Sequence, residues 1–209
     1  MLEHRALHVD DACIVALKPA GLLAVPGRGA DKADCLAARL AMQWPDARIV
    51  HRLDMATSGL MLFARGSDMQ RALSRAFAER RVEKRYVAIV AGLIDDDAGE
   101  IDLPLGADWP NRPRQRVDAV HGKPSLTRWR VQSRNAAART TRVALEPVTG
   151  RSHQLRVHLA AIGHPIVGDA LYAPPPWSEA DRLMLHADAL AYTHPQSGAG
   201  LAFEDPAPF

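Results

Sequence analysis

The sequence predicts an α+β fold, with a mixed, mostly antiparallel central sheet flanked by a few helices and loops. Three observations carry this. Strand-like runs follow one another directly, as at 125–132 and 140–148, without the strict alternation of a parallel β–α–β fold. Apolar residues recur at helical spacing in only three stretches. The chain has 209 residues, 47% hydrophobic and 24% charged, which suits one soluble domain over 1–209 with a core of its own.

The elements follow in order. Cys13 to Leu17 is an apolar run stopped by Lys18-Pro19 and Gly21, so it reads as a strand, a turn and a second short strand through Val25. Residues 32–44 place Ala33, Leu36, Ala37, Leu40 and Trp44 on one helical face, ending before Pro45. Residues 60–65 read as a buried strand. Ser67 or Asp68 then caps a helix with Met69, Ala72, Leu73, Ala76 and Phe77 on one side. Tyr86 to Gly92 is another strand. Residues 106–124 carry Pro110, Pro113 and Gly122 among basic residues and read as a loop or hairpin tip. After the pair at 125–132 and 140–148, Ser152 is placed to cap a helix bearing Leu155, Leu159 and Ile162, closed by Gly163 and Pro165. A last strand covers roughly Met184 to Tyr192.

Composition removes several classes. No apolar run exceeds six residues, Tyr86 to Ala91 being one of that length, so no span of a bilayer is expected. The first residues lack the apolar stretch of a signal peptide. Two cysteines, Cys13 and Cys35, stand at no metal-ligand spacing, and a reduced cytoplasm is the expected location. No phosphate-cradling glycine motif for nucleotide triphosphates or dinucleotides occurs.

The net charge of +2 is mild, but its distribution is not. From Pro110 to Arg130 six basic residues face Asp118 alone, whereas from Ala173 to Phe209 Arg182 faces five acidic residues. Such asymmetry fits either one face built for an anionic partner or a solvated charged surface. Aromatic residues are only 5% of the chain. A nucleic acid would therefore be held through phosphates and one special pocket, not a row of stacking rings.

Two segments gather reactive groups. His51-Arg52-Leu53-Asp54-Met55-Ala56-Thr57-Ser58-Gly59 sets cations, a carboxylate and hydroxyls before a buried strand. Asp54 there is either a nucleophile or general base, or an ordinary turn carboxylate bonded to the Thr57 and Ser58 N–H groups. Gly150-Arg151-Ser152-His153-Gln154-Leu155-Arg156-Val157-His158 sets two arginines and two histidines around a helix start, an end that favours anions. The spacing of His153, His158 and His164 is not a zinc pattern, so no metal is expected. Tyr86, alone, reads as a core ring with its hydroxyl at the edge.

Taken jointly, HRLDMATSGL, EKRYVA and GRSHQLRVHLAAIGHPIVGDALY resemble the signature segments of the RluA-type pseudouridine synthases. They occur in that family's order, between an opening LKPAGLLAVPG and a closing LMLHA, and the resemblance covers nearly the whole chain. WPNRPRQRV and GKPSLTRWRV further resemble the subgroup acting on both 23S ribosomal RNA and tRNA. That subgroup lacks an N-terminal S4 domain, and none is expected here.

The resemblance implies a mixed, mostly antiparallel catalytic domain that uses no cofactor or metal. It implies Asp54 as the essential aspartate and Tyr86 as the ring against the target base. It implies Arg156 as the basic partner of that aspartate, Arg52 as the side chain entering the RNA stack, and Leu185 as an apolar pocket residue. Arg112, Arg114 and Arg116 are expected on RNA phosphates. The partner the resemblance implies is structured RNA, rRNA or tRNA stem-loops, and a monomer is expected.

These residues suit the chemistry. Pseudouridylation breaks the N1–C1′ bond of uridine, turns the base and rejoins it through C5. The base must leave its stack, which costs a few kcal/mol, and an arginine in the vacancy restores contact. Asp54 must be ionised, and a carboxylate away from water stays charged only beside a cation. Arg156→Leu is therefore expected to abolish activity with the fold retained. The residues leave open whether Asp54 attacks C1′ or first takes a sugar proton. Two rivals make other predictions. A non-catalytic RNA-binding protein would keep binding after Asp54→Asn with no product to lose. A hydrolase for a small anion would turn over without RNA.

Overall fold

The computed structural model describes residues 5–27, 29 and 32–209. The elements run β1 (Arg5–Val9), β2 (Cys13–Lys18), α1 (Leu36–Gln43), β3 (Ala47–Ile49), β4 (Ser58–Arg65), α2 (Gly66–Ala78), β5 (Glu83–Ala91) and β6 (Ala98–Asp102). They continue with β7 (Leu105–Ala107), β8 (Gln115–Val117), β9 (Leu126–Asn135), β10 (Thr140–Pro147), α3 (Gln154–Ala161), β11 (Leu185–Thr193) and β12 (Gly200–Glu204). This is the α+β class read from the sequence. Contacts divide the chain into two compact units, Met1–Lys84 with Ala187–Pro208, and Arg85–His186 with Phe209.

In the first unit the strand order is β1-β2-β4-β11, with β3 also on β4 and β12 also on β11. β2 and β4 pair antiparallel from Cys13↔Ala64 to Lys18↔Gly59. Cys13, Val15, Leu60, Leu62, Ala64, Leu190 and Tyr192 present one apolar face, and α2 covers it with Leu73 and Ala76. The opposite faces of β2 and β4 are also buried at Ile14, Met61 and Phe63. Burial on both sides is why these strands read as unbroken apolar runs rather than alternating ones.

In the second unit β5-β10-β9-β6 form an antiparallel ladder. β7 and β8 make a separate small hairpin. α3 is buried along most of its length, including the polar side chains of Gln154, Arg156 and His158.

Several local expectations are corrected. Among the described residues no strand forms through Val25, and an isolated bridge joins Leu23 to Cys35. α1 starts at Leu36, where the Cys35 sulfur accepts from the Ala38 N–H at 3.3 Å. α2 starts before Ser67 and Asp68, so neither caps it, and Asp68 instead meets Arg71 at 2.6 Å. Ser152 does not cap α3. His153 takes the left-handed conformation at φ 54° before it, and the buried Gln154 side chain accepts from the Arg151 N–H at 3.0 Å. Among the described residues no helix is long and apolar enough to cross a membrane.

Candidate active site

The loop between β3 and β4 carries His51, Arg52 and Asp54, and it is fastened from below. Lys18, only 1% exposed, donates its ammonium to the carbonyls of Pro19, Leu22 and Met55 at 2.8, 2.8 and 2.9 Å. The Met55 carbonyl also accepts from the Gly21 N–H at 2.9 Å. The turn after Lys18 is thereby tied to the residue next to Asp54. Charge-assisted bonds of this kind are about twice as strong as neutral ones.

His51 holds the loop from the other side. Its ring stacks on Phe77 at 4.5 Å between centroids, and its Nε2 accepts from the Leu62 N–H of β4 at 2.8 Å. Desolvation, with the Lys84 ammonium nearby, lowers its pKa to about 3. It is therefore neutral at physiological pH, as an accepting Nε2 requires. Thr57 spends its N–H on the main-chain oxygen of Asp54 at 3.1 Å, so this turn bond does not use the Asp54 carboxylate. Arg52 is exposed, Asp54 partly buried and Leu53 buried.

Gly59 has a reason to be glycine. Its φ is +117°, and a Cβ there would lie 2.3 Å from the Ala187 carbonyl oxygen of β11. A side chain would push β4 off β11 at the end of the loop that carries Asp54.

The second unit holds Tyr86, Arg156 and Leu185. Tyr86 lies on β5 opposite Leu145 of β10 and is largely buried. Leu185 opens β11 and is buried. Arg156 projects from α3 into a fixed setting. Its Nε and Nη2 donate to the two carboxylate oxygens of Asp169 at 2.8 and 2.7 Å. Asp169 Oδ1 also accepts from the N–H groups of Leu171 and Tyr172 at 3.0 and 3.2 Å. The guanidinium lies 5.1 Å from the centre of the Tyr172 ring.

Asp169 and Tyr172 were not singled out from sequence. Gly168 is the available signal: φ is +77°, and a Cβ there would meet the Arg182 carbonyl oxygen at 1.8 Å. That close approach aims Asp169 at Arg156. Tyr172 also bonds His153 Nδ1 and accepts from the Gln115 N–H, both at 2.7 Å. It thus joins α3 to the β7–β8 hairpin. His158, weighed above as a ligand, is structural: its ring bonds Thr127 Oγ1 at 2.9 Å and the Leu103 carbonyl at 3.0 Å.

Arg112, Arg114 and Arg116 are exposed on that hairpin. Arg112 lies 5.0 Å over Trp109, Arg114 5.4 Å over Tyr172, and Arg116 is 3.4 Å from Asp118.

Residues 12–161 match the family model described as RNA pseudouridylate synthase, and the chain belongs to that family. It is an enzyme of the isomerase class acting on uridine in RNA. The dual-specificity RNA pseudouridine synthase RluA of Vibrio cholerae is 53% identical over 192 residues, covering 91% of this chain and 78% of the relative. The protein of the same name from Escherichia coli K12 is 49% identical over 204 residues, covering 97% and 93%. Among solved structures, human RNA pseudouridylate synthase domain containing 1 has a TM-score of 0.82 at 30% identity, covering 99% of this chain and 84% of that one. Human domain containing 4 has a TM-score of 0.76 at 25% identity, covering 97% and 88%.

Proposed function

We propose that this pseudouridine synthase isomerises uridines in both ribosomal RNA and tRNA stem-loops, with Asp54 as its catalytic carboxylate. One observation carries the substrate class: two dual-specificity relatives are about half identical to the chain over nearly all of it. In the reaction the N1–C1′ bond breaks and C5 bonds to C1′. The C5 proton then leaves to solvent while N1 gains one.

In this reading Tyr86 offers a flat face to the uracil, and Leu185 lines the pocket. Arg156 serves the reaction as its basic residue. Its fixed orientation on Asp169 supports that role, because a preset fork stabilises charge without reorganising. Arg52 is exposed, long and cationic, as a side chain filling a vacated stack must be. The enzyme acts as a cytoplasmic monomer.

The test is tritium release from RNA labelled at uridine C5, using an rRNA hairpin and a tRNA anticodon stem-loop. Wild type should release tritium from both and Asp54→Asn from neither, with RNA binding kept. Release from one RNA alone would overturn dual specificity. Release by Asp54→Asn would overturn the role of Asp54.

A further inference from the structure

The hairpin formed by β7 and β8 carries a feature that phosphate contacts do not use. Trp109 is 68% exposed, although indole is among the costliest groups to leave in water. It does not stand on a loose loop. The tip is bonded within itself, Asp108 N–H to the Arg114 carbonyl, Asn111 N–H to Asp108 and Arg114 N–H to Asn111, each at 3.0 Å. The Asn111 side chain adds a bond to Asp108 at 2.9 Å. Tyr172 holds the hairpin at the Gln115 N–H. The ring is presented on a preorganised support, which lowers the ordering cost of binding.

Its surroundings choose the occupant. Arg112 lies 5.0 Å over the indole, and Arg114 and Arg116 are exposed on the same hairpin. A ring among cations suits a base with its phosphates: every base has a π face, and cations meet the backbone. A greasy protein partner would be poorly matched by three arginines.

We infer that Trp109 is a stacking platform for an unpaired base of the RNA substrate, separate from the uridine that reacts. This rests on the functional reading above and adds to it. The enzyme then recognises a looped structure, because a duplex of equal charge offers no free base face.

The experiment measures binding of an anticodon stem-loop and of a fully paired duplex of equal phosphate count. It uses wild type, Trp109→Ala and Trp109→Phe across a salt series, with pseudouridine formation followed in parallel. Trp109→Ala should weaken stem-loop binding about tenfold, within the range of one lost base stack. Duplex binding and the salt slope should stay unchanged, because no phosphate contact is lost. Trp109→Phe should recover most of the affinity. A 2-aminopurine at the stacked loop position should be quenched by wild type and not by Trp109→Ala.

Unchanged stem-loop affinity in Trp109→Ala, or an equal loss on the duplex, overturns the inference while the enzyme remains active. Absence of product from wild type overturns the functional reading instead, and the binding series still decides the role of Trp109.

Discussion

Arg156 and Asp169 meet as a buried fork, two parallel N–H···O bonds of 2.8 and 2.7 Å between side chains that are 6% and 0% exposed. The arginine expected to serve the reaction is thus also a structural partner, and this changes what its removal does. Arg156→Leu leaves Asp169 buried without its cation, at a cost of about 3–5 kcal/mol. The single variant should therefore lose stability as well as activity, in contrast to the intact fold expected from sequence. Adding Asp169→Asn to Arg156→Leu should regain part of the stability, since no unpaired buried charge is left and the amide oxygen still accepts from the Leu171 and Tyr172 N–H groups. Denaturant unfolding checks the first part. Tritium release checks the second: the double variant should stay inactive, and recovered turnover would mean Arg156 does no chemistry.

Lys18 gives a second separation of fold from chemistry. Its ammonium ties the turn after β2 to the Met55 carbonyl beside Asp54. Lys18→Met keeps the stem and removes the donors, leaving buried carbonyls short of partners at about 1–3 kcal/mol each. Urea unfolding should show a loss of about 2–6 kcal/mol from the Pro19 and Leu22 carbonyls, because Met55 keeps its bond from Gly21. Turnover, measured where the variant is fully folded, should fall by about 10–100-fold through a displaced Asp54. RNA affinity should change little. A variant with normal turnover would show that the clamp does not position the carboxylate.

How much of this was legible in the sequence depends on where each signal resides. β2 and β4 were readable because burial on both faces makes a continuous apolar run. β1, β3, β6 and β12 were not singled out. They are five residues or fewer, and most of their positions are only half-buried or exposed, so they show little period. The loop from His51 to Gly59 stands out in the sequence by its density of functional groups. Lys18, by contrast, reads as an ordinary strand-ending residue, since nothing local says that its charge is buried. Asp169 is hidden for another reason: in Gly168-Asp169 it looks like a turn aspartate, and its meaning comes from an arginine 13 positions away. Ser152 misled because capping preference is local, whereas α3 is opened by a buried glutamine bonded to the neighbouring strand and loop.

His51 makes the stability of the first unit depend on pH in a definite direction. Its folded pKa of about 3 lies below the ordinary 6.5, chiefly through desolvation. Between those values the unfolded chain binds the proton and the folded chain resists it. The contribution is complete above about pH 6.5 and is lost progressively as the pH falls toward 3. At pH 5 the loss from this residue is about 2 kcal/mol. His51→Gln can accept from the Leu62 N–H without titrating. Unfolding free energies at pH 7 and pH 5 should therefore differ less in the variant than in wild type. An equal difference in both would show that the buried ring does not resist protonation.

The exposed arginines of the hairpin are tested by salt rather than by affinity alone. Each phosphate neutralised by a cation releases counterions, so the slope of log binding constant against log salt counts such contacts at roughly 0.7–0.9 each. Arg112, Arg114 and Arg116 are engaged with Trp109, Tyr172 and Asp118, contacts that leave a guanidinium cationic and able to meet phosphate. Replacing all three by glutamine should lower the slope by about 2–3 for a stem-loop RNA. Affinity should then fall most at low salt, where screening is weakest. Stability should change by less than about 1 kcal/mol, as expected for exposed ion pairs. Fluorescence anisotropy across a salt series measures the slope directly. An unaltered slope would make these arginines a solvated surface and leave the phosphate contacts to be sought elsewhere.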